Sequence, residues 1–157
     1  MGRSGDGFVR CDDGHVRWGR FGAAGALFVV RGDDGPEVLV QLRSGLAHEG
    51  GTWSCPGGAL DDGETTLDGA LREATEEVGA PPEPWTVLGE HVFAPAGDWR
   101  YTTAVVAVPR RFGYSATFET DAVRWCHPDE VEQLALHPGF AAAWPHLRAI
   151  VEGQRQA

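Results

Sequence analysis

The segment Leu67–Gly79 constrains the fold most, because its side chains sort into two chemically different faces when it is wound as a helix. At about 100° per residue, five aliphatic side chains fall on one arc of roughly 100° and predict a face buried in a core. They are Leu67, Ala70, Leu71, Ala74 and Val78. Thr65 is expected to cap the helix, and Gly79 is expected to end it.

A second face of this helix carries Glu73, Glu76 and Glu77 at the spacing i, i+3 and i+4. Side chains at this spacing lie about 5–6 Å apart, so the three carboxylates repel one another. A solvated acidic face is one interpretation of such a charge run. A divalent cation is the other, because Mg²⁺ is held by carboxylates together with waters and substrate phosphates.

The residues before the helix favour the metal site. Read from Gly58, the chain has five residues, Glu64, seven residues and then Arg72–Ala80, REATEEVGA. This spacing matches every fixed position of the Nudix signature, G-x5-E-x7-R-E-U-x-E-E-x-G-U with U aliphatic, and Pro56-Gly57 directly precede it. A chance match in a chain of this composition is on the order of one in 100,000. The chain therefore resembles the Nudix hydrolase family, over about residues 21 to 150.

The resemblance implies an α/β protein with the Nudix fold, an α/β/α sandwich with a mixed β-sheet. It also implies a cofactor, Mg²⁺ or Mn²⁺, with Glu76 and Glu77 as its main ligands. Glu73 would bind metal or position the attacking water as a general base, and the Gly57 carbonyl would add a backbone ligand. Glycine suits that role because it allows the backbone to approach a metal closely.

Three more residues take expected roles from the resemblance. Glu64 would be an outer metal ligand or would steady Arg72, which is expected to orient a carboxylate or to anchor the loop before the helix. Glu119 resembles the additional carboxylate that many family members supply from a late loop, with Asp121 as the neighbouring alternative. If Glu119 has that role, the general base is either Glu73 or Glu119.

Residues that bind the rest of the substrate lie outside the signature. Arg43 ends a predicted strand and could reach a phosphate. Trp99, Arg100 and Tyr101 follow a turn, from which the aromatic rings could stack on a base and Arg100 could bind phosphate. His48 and Glu49 could line the mouth of the site. The predicted reaction is hydrolysis of a diphosphate bond in a nucleoside diphosphate linked to another group. ADP-ribose-type compounds, MutT-like nucleoside triphosphate substrates and nucleotide sugars all stay open.

Two other functions compete with hydrolysis. A catalytically silent Nudix-fold module that binds or senses a nucleotide would usually lack a glutamate of the signature, and here the sequence from Arg72 to Glu77 is intact. A diphosphate isomerase acting on isoprenoids would need a catalytic Cys and a further His/Glu metal set. Only Cys55 offers any support for it. The enzyme reading is therefore preferred.

The whole chain sets outer bounds on the function. Its 157 residues, 42% of them hydrophobic, fit one domain with an ordinary core. A formal net charge of −10 argues against a nucleic-acid surface, which needs clustered cations. The longest apolar run, Ala23–Val30, is too short to cross a membrane, and no signal-peptide pattern is present. A cytoplasmic protein with reduced cysteines is expected, and analogy with the family allows a homodimer.

The order of elements predicts strands and helices intermixed around one sheet. Residues 1–20 read as a leader, flexible over Met1–Gly7 and with at most one short strand after it, and residues 21–157 as the hydrolase domain. Strands at Phe21–Arg31 and Glu37–Arg43 are expected to form a hairpin with a longer loop. A helix is predicted over Asp129–Leu136, and another over Phe140–Glu152.

Overall fold

A computed structural model describes residues 3–44, 50–114 and 120–153 of the protein. Nine strands and three helices follow one another along this part of the chain. The strands are β1 Phe8–Arg10, β2 Val16–Trp18, β3 Ala23–Gly32, β4 Gly35–Arg43, β5 Trp53–Ser54, β6 Gly57–Ala59, β7 Thr86–Ala96, β8 Trp99–Ala107 and β9 Thr120–Cys126. The helices are α1 Thr66–Val78, α2 Pro128–Val131 and α3 Pro138–Val151.

The main sheet is mixed, as the sequence predicts. Its central path runs β5-β4-β3-β8-β7, while β6 pairs with β3 and β9 with β4. The strands β3 and β8 are parallel, and the other pairs are antiparallel. β3 lies at the centre, so it supports both the strand β6 that begins the signature and the strand β8 beside it.

Both faces of this sheet are covered, which explains why β3 reads as a continuous apolar run. Leu27 and Val29 pack on one face with α3, whereas Ala26 and Phe28 pack on the other with α1. All four side chains are fully buried. The predicted α/β/α sandwich is therefore confirmed. None of the helices in the described ranges has the length and apolar character needed to cross a bilayer.

Two local predictions were wrong. Gly32 pairs with Gly35, so Asp33 and Asp34 alone form the turn of a tight hairpin instead of a longer loop. Gly35 has φ +102°, a conformation that glycine adopts without steric cost and that lets the chain reverse quickly. The helix expected over Asp129–Leu136 is the short α2: the Leu134 N–H bonds three residues back in a turn, and Ala135 and His137 then bond to the Trp53 backbone instead of continuing a helix.

The N-terminal segment is more ordered than the sequence predicts. Two strands, β1 and β2, pair where at most one was expected. The expected flexible leader is bonded to the signature over its described part: the Asp62 N–H donates to the Arg3 carbonyl (2.8 Å), and the Gly5 N–H to the Asp61 carboxylate (3.1 Å). A Cβ on Gly5 would lie 1.7 Å from the Leu60 carbonyl oxygen, so the two backbones touch. Glycine makes this close contact with the loop before α1 possible.

Candidate metal and catalytic site

Helix α1 forms where the sequence predicts it. The Thr65 hydroxyl accepts a hydrogen bond from the Asp68 N–H (3.1 Å), and the Gly79 N–H donates to the Thr75 carbonyl (3.1 Å) at the other end. The aliphatic stripe faces the core, with Ala74 and Val78 fully buried. This packing fixes the rotation of the helix and turns its glutamate face towards Gly57 and Gly58 of β6.

Glu77 is the carboxylate held most firmly by the fold. The Gln41 amide nitrogen donates to its Oε1 (2.9 Å), and the Gly57 N–H donates to its Oε2 (3.2 Å). Burial raises the pKa of Glu77 to about 8, and the nearby charge of Glu73 adds to the rise while Gln41 opposes it. A proton therefore competes with any cation for Glu77 near neutral pH.

Glu73 lies directly against Gly58. A Cβ on Gly58 would fall 2.5 Å from the carboxyl carbon of Glu73, so only glycine leaves room for the carboxylate. Burial raises the pKa of Glu73, although the Arg72 guanidinium, which donates to its Oε1 at 3.0 Å, acts in the opposite direction. Glu73 and Glu77 thus face two consecutive glycines of β6.

Arg72 ties the helix to the loop that precedes it. Its Nε and Nη2 donate to the two oxygens of Glu64, at 2.8 and 3.0 Å, and Nη2 also donates to the Ala59 carbonyl (3.0 Å). Arg72 therefore orients carboxylates and anchors the loop at once. The same pairing lowers the pKa of Glu64. Both Glu64 oxygens accept these hydrogen bonds, so Glu64 steadies Arg72, which is one of the two roles expected for it.

Glu76 has a different environment from its two neighbours. Its side chain is 57% exposed, and one oxygen lies 3.5 Å from Arg72 Nη1. Across the described residues, no three His, Cys, Asp or Glu side chains converge closely enough to hold an ion by themselves. Any cation at this site would need backbone, water or substrate oxygens as well as carboxylates.

The residues around Gly57 and Gly58 fit such a cation. Mg²⁺ usually keeps several waters and takes one or two carboxylates plus substrate phosphates, so a site without three converging carboxylates is the ordinary case. Glu73 and Glu77 supply hard oxygen donors beside a backbone that carries no side chain. Glu76, on the same face of α1, is the exposed third carboxylate.

The expected substrate residues fall into two places. Arg43, at the end of β4, is close enough for its charge to lower the pKa of Glu77. Trp99 and Arg100 instead line a cavity of about 480 Å³ with Leu60 and Thr66, a cavity lined by none of the helix glutamates. The Trp99 ring is buried, and its Nε1–H donates to the Gly19 carbonyl at 3.1 Å.

Several predicted site residues lie outside the part of the chain that the structure describes. Glu119, His48 and Glu49 are not among the described residues, and neither is the side chain of Asp121. The choice between Glu73 and Glu119 as the general base stays a prediction.

Sequence reasoning missed Gln41 and the position of Tyr101. Gln41 is a buried polar residue inside the apolar strand β4, 2% exposed, and it reaches Glu77. A polar residue at a core-facing position of a strand was the signal that could have identified it. Tyr101 lies on β8 with its hydroxyl against Gly57, a contact that depends on how β3, β6 and β8 pair.

Comparisons with known proteins agree with this geometry. The model of the NUDIX domain matches residues 20–148. A Mycobacterium tuberculosis protein named "Putative 8-oxo-dGTP diphosphatase 3" is 43% identical over 150 residues, which cover 92% of this chain and 69% of that protein. The crystal structure of RenU, a Nudix hydrolase from M. smegmatis, superposes with a TM-score of 0.86 at 38% identity and covers 98% of this chain and 99% of RenU.

Proposed function

We propose a substrate and a metal for this chain, which belongs to the Nudix family of hydrolases and is a nucleotide pyrophosphohydrolase. It is a divalent-metal-dependent nucleoside triphosphate diphosphatase with substrates of the 8-oxo-dGTP type. The observation that carries the proposal is the packing of Glu73 and Glu77 against Gly57 and Gly58. The name of the M. tuberculosis relative supports the substrate class. Water would convert the triphosphate to a nucleoside monophosphate and diphosphate.

In this proposal Glu77 and the Gly57 carbonyl would hold Mg²⁺ or Mn²⁺, with Glu76 as the exposed further ligand, and Glu73 would act on the attacking water instead of binding the metal. Bound metal would neutralise phosphate charge and lower the pKa of a water. Phosphoryl transfer depends mainly on positioning and charge stabilisation, which suits a site built on a rigid helix. The network of Arg72 and Glu64 supplies that rigidity.

Glu73 is the proposed general base among the described residues. Burial raises its pKa, which makes the carboxylate a stronger base than an exposed one. It would take a proton from the attacking water as the water oxygen bonds to phosphorus, and the leaving phosphate oxygen would depart with its bonding electrons. Arg72 would hold the glutamate in place during the transfer. Arg43 would offset phosphate charge beside Glu77.

The test is a product-release screen with purified protein and an excess of Mg²⁺ or Mn²⁺. The panel holds 8-oxo-dGTP, the canonical nucleoside triphosphates, ADP-ribose, NADH, a diadenosine polyphosphate and a nucleotide sugar. We expect metal-dependent release of diphosphate, fastest from 8-oxo-dGTP. Preference for ADP-ribose or a nucleotide sugar would overturn the substrate class but keep the chemistry. Folded protein that turns over none of them would favour a catalytically silent binding module.

A further inference from the structure

Tyr101 places its hydroxyl beside Gly57 of β6. A Cβ on Gly57 would lie 2.5 Å from Tyr101 Oη, and a Cβ on Gly25 would lie 2.6 Å from it. Neither glycine has a left-handed backbone, so space rather than conformation excludes a side chain at both positions. The two glycines, on β6 and β3, thus make room for one phenol oxygen.

Within the ranges that the structure describes, this hydroxyl makes no hydrogen bond. Other polar aromatic groups do have partners: the ring N–H of Trp125 donates to the Phe112 carbonyl (2.9 Å), and that of Trp144 to Glu132 (3.0 Å). Tyr101 as a whole is only partly buried, so a ligand can reach it. Ser54 Oγ is the only buried side-chain polar atom without a partner in the described ranges, so the unbonded Tyr101 hydroxyl keeps contact with solvent. A hydroxyl that contacts solvent and has no protein partner can donate to a ligand.

The buried Cys55 acts electrostatically on Tyr101, and so do Glu77, Arg43 and Glu73 of the site already described. The hydroxyl lies beside Gly57, whose N–H donates to the Glu77 carboxylate. A phosphate bound beside Gly57 and Glu77 would therefore lie near a phenol. A phenol is a hydrogen-bond donor at neutral pH, and donation to an anionic oxygen is among the stronger protein hydrogen bonds.

We propose that the Tyr101 hydroxyl donates a hydrogen bond to a non-bridging phosphate oxygen of the substrate and so positions the phosphate chain against Gly57 and Glu77. The proposal rests on the proposed function in one respect, since it needs a ligand that contains a diphosphate. It adds a substrate-binding residue that lies outside the signature and differs from Trp99 and Arg100.

Tyr101→Phe tests this directly, because it removes the hydroxyl and keeps the ring. Tyr114→Phe is the matched control, since Tyr114 is the only other tyrosine of the chain and is 65% exposed. Two ligands are used: 8-oxo-dGTP for turnover, and imidodiphosphate with Mg²⁺ for binding by calorimetry. We expect Tyr101→Phe to lower kcat/KM and to weaken imidodiphosphate binding by about 10- to 100-fold, the usual range for a hydrogen bond to a charged group. Tyr114→Phe should change neither.

Stability of the ligand-free protein separates substrate binding from a structural role. Removing a hydroxyl without a protein partner should leave the urea midpoint unchanged or raise it. Unaltered imidodiphosphate affinity, or a lowered midpoint in the ligand-free variant, would overturn the proposal. A wild type that binds imidodiphosphate but hydrolyses no nucleotide would refute the proposed function, while the binding titration would still decide the role of Tyr101. A wild type that does not bind imidodiphosphate would overturn both.

Discussion

Replacing Glu77 by glutamine tests the buried carboxylate without changing its shape. The pKa of Glu77 is about 8 in the folded protein and has an ordinary value of 4.5. Between these values the folded chain keeps a proton that the unfolded chain has lost, so the free energy of unfolding falls as pH rises, by up to about 1.4 kcal/mol per unit. Glutamine does not titrate, so the variant does not lose stability in this way as pH rises. The Gln41 amide can rotate to exchange its donor and acceptor, and so keep its hydrogen bond to the new side chain.

The size of the effect follows from the same linkage. From pH 5.5 to pH 8, the stability gap between metal-free Glu77→Gln and the wild type should widen in favour of the variant by about 3 kcal/mol. For a chain of this length that is about 6–12 °C in Tm. Urea and thermal unfolding in the presence of a chelator measure it. At pH 8, excess Mg²⁺ should raise the free energy of unfolding of the wild type more than that of the variant, because an ion that binds the folded state stabilises that state.

The same variant should lose turnover by orders of magnitude, since a neutral amide neither neutralises nor binds a cation as a carboxylate does. Two results would refute the reasoning. A stability gap that stays constant from pH 5.5 to pH 8 would mean that Glu77 ionises as an exposed glutamate does. Near-normal turnover by the variant would mean that Glu77 does not hold the metal.

Two further substitutions test the support around the site. Arg72→Lys should lower kcat and reduce the free energy of unfolding by about 1–3 kcal/mol, because a lysine cannot reproduce the paired hydrogen bonds to Glu64; wild-type kcat in this variant would contradict the role of the network. Gly58→Ala should lower kcat on the order of 100-fold by displacing Glu73. Gly32→Ala is its control, since a Cβ there meets nothing nearer than 3.8 Å; equal losses in both variants would refute the steric argument.

The signature region could be predicted well because its chemistry and its local structure agree. Helix periodicity fixed the buried stripe of α1, and the fixed spacing placed Glu64 within reach of Arg72. Both are short-range properties that sequence spacing encodes. The mixed sheet also followed from strand and helix order, and β3 is buried from Ala23 to Val29 as a central strand should be.

Contacts that depend on strand pairing could not be predicted in this way. Gln41 reaches Glu77, and Tyr101 reaches Gly57, only because β3, β4, β6 and β8 pair in particular registers. The sequence allows Trp99 to stack on a nucleotide base, but it does not predict that the ring N–H is bonded to Gly19 or that the Arg17 guanidinium lies 5.4 Å from the ring. The hairpin of β1 and β2 lay in the segment that read as a leader, so its packing on Trp99 was not foreseen.

The position of the metal in crystals grown with Mn²⁺ and a non-hydrolysable nucleoside triphosphate decides whether Glu77 binds the cation. Anomalous scattering from Mn²⁺ locates the ion without any assumption about its ligands. We expect a peak within coordination distance of the Glu77 carboxylate and the Gly57 carbonyl, with the phosphate chain against Gly57. A peak elsewhere, such as in the cavity lined by Trp99 and Thr66, with none beside Glu77, would contradict it.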